Sequence, residues 1–243
     1  MKKISKKDNT IKYLVTVIFV LLGVLYIVRF AGISLLRFYV ESGLGSCKQI
    51  PILCMNPQEK ISNPEINEEC MVNLVPQSLP VIEICIPKGF SLVYERTKKI
   101  YHKKSKNYFN EDIIYILYEE PGFFVSLFPR LKKYGITDNY DFLNKTMHAR
   151  LNDINSINDA FFVIMKSVFI PDVGNQMTVN MASFKLADKK GFINYNIGKE
   201  GNYFDCNIID NKGGFFKVYV KDKKARLTLD KIFAILATVN KKD

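Results

Sequence analysis

The chain has no tryptophan, two histidines and five cysteines in 243 residues. The missing tryptophan belongs to a composition rich in Lys, Asn and Ile and carries no functional information. The shortage of histidine does. His102 lies in a lysine run and His148 follows Met147, and both read as surface residues rather than as a base or a metal ligand. The first four cysteines are spaced C-x6-C-x15-C-x14-C, with no C-x2-C pair, which argues against a zinc ribbon. G-x-S-x-G, H-E-x-x-H, a P-loop and a dinucleotide-binding fingerprint are all missing, which removes the motif-bearing hydrolases, metalloproteases and nucleotide enzymes. No catalytic, cofactor-binding or metal-binding residue is therefore assigned, and no cofactor is expected.

Acidic residues are few, 24 against 35 Lys and Arg, for a net charge of +11. With 48% hydrophobic and 13% aromatic residues, the chain has the composition of a folded protein rather than a disordered one.

What is present begins with an apolar run. Residues 13–28, YLVTVIFVLLGVLYIV, hold no charge and would rise roughly 24 Å as a helix, against about 30 Å of bilayer hydrocarbon. The difference is made up if Arg29 snorkels and the helix continues through residues 30–36. Lys2, Lys3, Lys6, Lys7 and Lys12 precede the run, and Arg29, Arg37 and Lys48 follow it. That bias predicts a cytoplasmic N-terminus and an extracytoplasmic remainder. A cleaved signal would need a shorter run and a small-residue cut site. The lipoprotein-like box Leu44-Gly45-Ser46-Cys47 lies well beyond the run, past Arg37 and Glu41. An uncleaved signal anchor is the expectation, with a cleaved signal or lipoprotein as the alternatives.

Four regions follow: a basic cytoplasmic tail at 1–12, a transmembrane signal anchor at 13–36, a cysteine-bearing stem at 37–80, and an extracytoplasmic α+β domain at 81–243. The helix should run on through 34–40 and break at Ser42-Gly43-Leu44-Gly45. The stem, rich in Pro and Glu and poor in apolar residues, cannot make a core alone. Outside the cytoplasm Cys47, Cys54, Cys70 and Cys85 are the candidate disulfide cysteines, while Cys206 stands apart.

In the domain, residues 81–86 and 90–94 read as strands around Pro87-Lys88-Gly89, and 113–118 as a third. Residues 123–131 fit a strand or a short helix. A helix capped by Asp138 or Asn139 is expected over 139–151, and a buried helix over 160–170. Residues 177–186, 192–197, 203–209 and 215–220, separated by Gly- and Asn-bearing turns, form a four-stranded antiparallel meander. Thr228 caps a last helix whose Leu229, Ile232, Phe233, Leu236 and Val239 make one apolar stripe over the sheet. The fold class is α+β, a single N-terminal transmembrane helix followed by an antiparallel meander packed by helices.

The hairpin strands ending in the helix KIFAILATV resemble PsbP-like domains over residues 86–239, apart from a long basic insertion. The resemblance implies a non-catalytic assembly or binding module and no site residue.

The basic segments are the one positive functional signal. Arg96, Lys98, Lys99, Lys103, Lys104 and Lys106 form one run, and Lys221, Lys223, Lys224 and Arg226 another, with tyrosines between. They suit anionic lipid head groups or, equally, nucleic acid. Solvated loops explain them as well. Glu119-Glu120 and Asp205/Asp210 are carboxylate pairs whose places near strand ends suggest solvated turns. Cys206 with His148 would make a nucleophile and base, but Cys206 alternates with Phe204 and Ile208 as a buried residue would. The expected function is a non-catalytic binding or assembly module of the cell envelope, with the lipid bilayer as partner and either anionic lipid head groups or an envelope protein as a further one. The rivals are an envelope hydrolase or thiol enzyme, and a module for extracellular nucleic acid or anionic lipid.

Overall fold

The computed structural model describes residues 6–62, 64, 71–95, 98–103, 112–170, 179–199 and 201–242, with the backbone alone for 6–14, 59, 91–95 and 98–103. The apolar run and its continuation form one unbroken helix, α1 (Lys6–Leu44). Val15–Leu44 is long and apolar enough to cross a membrane, and none of its most apolar stretch is covered by the rest of the chain. The helix ends where the Ser-Gly-Leu-Gly signal stands, at Gly45, whose φ of +105° favours a residue without a side chain.

The domain is three layers built on one eight-stranded sheet. Its strands are β1 (Glu59–Ser62), β4 (Ser91–Glu95), β5 (Lys98–Lys103), β6 (Asp112–Glu119), β7 (Asn180–Lys185), β8 (Lys189–Gly198), β9 (Gly201–Asp210) and β10 (Phe215–Asp222), in the order β1-β7-β8-β9-β10-β6-β5-β4. The meander expected at β7–β10 is present, and β6, β5 and β4 extend it antiparallel. Among the described strands, β1 alone joins in parallel, alongside β7. A three-stranded sheet of β2 (Leu74–Ser78), β3 (Ile82–Pro87) and β11 (Asn240–Lys241) lies on one face with the last helix, α5 (Leu229–Ala237). Between them Ile82, Ile84, Ile86, Ile232 and Phe233 meet Phe204, Ile208, Phe216 and Val218 of the large sheet.

The other face carries α2 (Phe123–Leu127), α3 (Asn139–His148) and α4 (Ile157–Phe169). Phenylalanine dominates here. Phe124 stacks on Phe142 at 4.6 Å and meets Phe215 edge-on at 5.0 Å. Asp138 caps α3 through the backbone N–H of Asp141 at 2.7 Å, and Ser156 caps α4 through that of Asp159 at 3.2 Å. Residues 123–131 resolve as helix, α2 followed by a 3₁₀ turn from Pro129.

Three expectations are corrected. Residues 37–80 are not a separate stem: Val40 is buried, Ile52 and Leu53 enter the phenylalanine layer, β1 joins the main sheet and β2 the small one. The segment lacks apolar residues because it borrows the domain's core instead of making its own. Strands 82–87 and 91–95 do not form a hairpin, since β3 and β4 lie in different sheets. Of the candidate disulfide cysteines, Cys47 and Cys54 are bonded, with Cα atoms 5.7 Å apart. Cys85 is a free thiol on β3, where its N–H donates to Thr238 Oγ1 at 2.8 Å, on the side of the strand away from the core isoleucines. Cys70 lies outside the described residues.

Candidate functional site

The seven basic positions that lie within the described residues are divided between the two ends of β5. Arg96, Lys104 and Lys106 lie outside the described residues. Lys98 and Lys99 open β5, and Lys103 closes it about 16 Å from Lys98. Register then pairs Lys103 with Asp112 and Ile113 with Lys221, so Lys103 and Lys221 share one end of the sheet, two strands apart. The second run is partly engaged. The Arg226 guanidinium donates to the Asp112 carboxylate, and Lys223 donates to the Tyr203 hydroxyl. Two carboxylates fold this turn. Asp222 accepts from the N–H groups of Arg226 and Leu227 at 2.5 and 2.6 Å, and Asp112 from that of Lys223 at 3.0 Å. Lys221 is half-buried and Lys224 exposed.

The thiol-enzyme pairing is not formed. Cys206 is buried in the layer beneath α5, and burial pushes its thiol well above the ordinary range. His148 is on α3, across the sheet, with its ring edge-on to Phe192 at 5.7 Å and Nδ1 bonded to the Asn144 carbonyl at 2.9 Å. Glu120 pairs with Lys241 at 2.8 Å on the surface, and that hydrogen bond lowers its pKa. Asp210 accepts from the N–H groups of Lys212 and Gly214, closing the β9–β10 turn as expected of a turn residue. Among the described residues, no group of three His, Cys, Asp or Glu is placed to hold a metal ion.

Asp205 behaves differently from that expectation. It is no turn residue but the middle of β9, with no exposed surface. Its side chain lies on the helix-facing side, opposite Asn194 on β8 and Tyr219 on β10. Two residues along, Asn207 opposes Phe192 on one side and Lys217 on the other. The Lys217 ammonium is 3.4 Å from Asp205 Oδ2 and 3.5 Å from the Phe169 carbonyl oxygen. Burial pushes the Asp205 carboxyl up to about 6, against the opposing pull of Lys217 and the Asn207 amide.

Eight buried polar side-chain atoms among the described residues lack a hydrogen-bond partner, and six of them belong to Asn194, Asp205 and Asn207. Each such atom costs about 1–3 kcal/mol. Two other buried polar residues, Asn139 and Lys166, are satisfied. Asn139 accepts from the N–H of Phe124 at 3.1 Å and donates to the carbonyls of Glu120 and Gly213. The fully buried Lys166 donates to the carbonyls of Met55 and Ala149 at 2.7 and 3.0 Å, and burial pushes its pKa down to about 7. Six of the eight unsatisfied atoms are thus gathered at one spot. Sequence held a signal for it: Asn194, Asn196, Asp205 and Asn207 occupy alternate positions of two strands and so share a face.

At the other pole of the domain, α1 meets α4. Arg37 Nε donates to the Ile154 carbonyl at 2.7 Å and its Nη2 to Asn155 Oδ1 at 3.2 Å. Val40, with Leu36 and Leu44 beside it, packs on Leu151, Ile154, Ala160 and Val163. Just below, Val28, Arg29, Gly32, Ile33, Leu36 and Ile157 line an apolar cleft of about 530 Å³. Ile157 is 79% exposed there.

No protein-family model matches the chain, and no curated protein matches it in sequence.

Proposed function

We propose that the chain is a single-pass membrane protein that holds a non-catalytic α+β binding domain at the extracytoplasmic face, in fixed orientation to its anchor. The observation that carries this reading is the continuity of α1 into the domain. One helix supplies the apolar span and, eight residues after Arg29, the Arg37 contacts and the buried Val40. A flexible linker would let the domain swing freely. Here the packing of α1 on α4 and the Cys47–Cys54 bond just after the helix oppose such motion.

Orientation rests on charge. The lysines of the N-terminal tail face the cytoplasm, and Arg37, tied to the domain, marks the outer boundary. Arg29 lies about 12 Å below Arg37 along the helix. That depth lets its side chain snorkel to lipid phosphates while the apolar cleft beside Gly32 and Ile157 takes acyl chains. A binding role is also what the resemblance to PsbP-like domains implies, and it is supported by an unsatisfied polar cluster inside the domain. An envelope protein is the partner class for the exposed surface.

The test is topological. A membrane-impermeant label directed at a cysteine placed at the exposed Lys224 should react from outside intact cells and not from the cytosol, on a chain retaining residues 1–36. Labelling only after cell lysis, or recovery of a shortened soluble chain, overturns the proposal.

A further inference from the structure

On the helix-facing side of β8, β9 and β10, Asn194, Asp205, Asn207 and Lys217 stand on three neighbouring strands. The first three show no surface, yet among the described residues no amide or carboxylate atom of theirs makes a well-formed hydrogen bond; Asp205 has the 3.4 Å Lys217 contact and the Asn207 amide beside it, and Asn194 has no such neighbour. At the same level the opposite face of these strands is apolar, with Ile193, Phe204, Cys206 and Ile208. Nothing in the backbone therefore demands polar residues at these positions.

We infer that these four side chains form an internal binding site for a small zwitterion of the α-amino-acid type, an inference that rests on reading the domain as a binding module. Charge selects the ligand. A lone cation would meet Lys217 and a lone anion would meet Asp205, whereas an ammonium and a carboxylate on one small molecule answer both and leave the site's net charge unchanged. The Lys217–Asp205 separation of 3.4 Å is longer than the ~2.8 Å of a close charge-assisted hydrogen bond, so each charge keeps capacity for a second partner. The carboxamides of Asn194 and Asn207 add donors and acceptors on either side. Size follows from the sheet: strands lie about 4.8 Å apart, and alternate residues about 7 Å apart along a strand. Four groups at that spacing can reach a molecule of a few heavy atoms, not a peptide or a polysaccharide. Phe192 and Tyr219, which oppose Asn207 and Asp205, bound the site with aromatic rings.

The full chain in lipid nanodiscs is titrated with each of the free protein amino acids and glycine betaine, with acetate and methylammonium as single-charge controls. Unfolding temperature and calorimetry are the readouts. At least one zwitterion should raise the unfolding temperature saturably while neither control does, and Asn194→Leu and Asn207→Leu should weaken that binding at least tenfold while folding as stably as the parent. If either leucine variant fails to fold, Asp205→Asn, which keeps the shape, must show the same tenfold loss. The inference is overturned if no zwitterion gives a saturable shift, or if the shift survives these substitutions. The titration reads the same whichever side of the membrane the domain occupies. Its failure leaves the anchoring proposal standing, and a cytosolic C-terminus leaves the binding result standing.

Discussion

Alternate residues of β8, β9 and β10 build two faces from the same backbone. Beneath α5 lie Ile193, Phe204, Cys206, Ile208, Phe216 and Val218, all essentially without exposed surface. Beneath the phenylalanine-rich helices lie Asn194, Asp205, Asn207 and Lys217, ringed by Phe192, Ile209 and Phe215. Lys217 apart, the two sets are similarly buried, so depth alone does not set residue type. The first face gains from every side chain it removes from water. The second gives up stability at its centre and recovers it at its rim, the pattern of a site carried by a scaffold rather than of a core.

The largest expected effect is on the apolar face. Phe204→Ala should destabilise the domain by about 3–5 kcal/mol in denaturant unfolding, through lost burial and the cavity left behind. A cost similar to that of a surface substitution would erase the contrast. The polar face should respond with the opposite sign. Asp205→Asn removes a carboxylate whose folded pKa, about 6, lies above its unfolded value. The folded state therefore binds more protons between about pH 4 and 6, and the carboxylate's contribution to stability is lost as pH rises through 6. The substitution should stabilise the protein by about 2–3 kcal/mol at pH 7 and leave it unchanged near pH 4.

Lys166 sharpens the comparison because it is buried, charged and satisfied. Its folded pKa of about 7 lies below the unfolded value, so the unfolded chain binds the extra proton between about pH 7 and 10. Stability should rise with pH across that window, and Lys166→Met should flatten the rise. An unchanged pH profile in the methionine variant would assign the effect elsewhere. The smallest effects belong to the helices covering each face. Asp138→Ala removes a 2.7 Å cap from α3 and should cost about 1 kcal/mol. Thr228→Ala removes a 3.4 Å cap from α5 and should cost less. Thermal unfolding of both single variants ranks them.

Where local signals were strong, sequence and structure agree. The Gly-bearing turns place β7–β10, Asp138 and Thr228 start helices, and the apolar stripe of α5 meets the sheet. The disagreements share one cause. Residues 37–80 look too polar for a core until β1 is paired with β7, a contact spanning more than a hundred residues. Asp205 looks like a turn residue until β9 is seen to run on to Asp210. The two basic runs say nothing of their places until register parts Lys98 from Lys103, sets Lys103 at the same sheet end as Lys221, and ion pairing draws in Arg226.

By itself the sequence determined an N-terminal helix apolar enough for a bilayer, the α+β class and the meander, because charge-free length, capping and turn chemistry act over a few residues. Only the tertiary structure decided that the N-terminal apolar helix is continuous with the domain core, that Cys47 bonds Cys54, and that Asn194, Asp205, Asn207 and Lys217 meet. These depend on which strands become neighbours and in what register, and that is set by the packing of distant segments on one another.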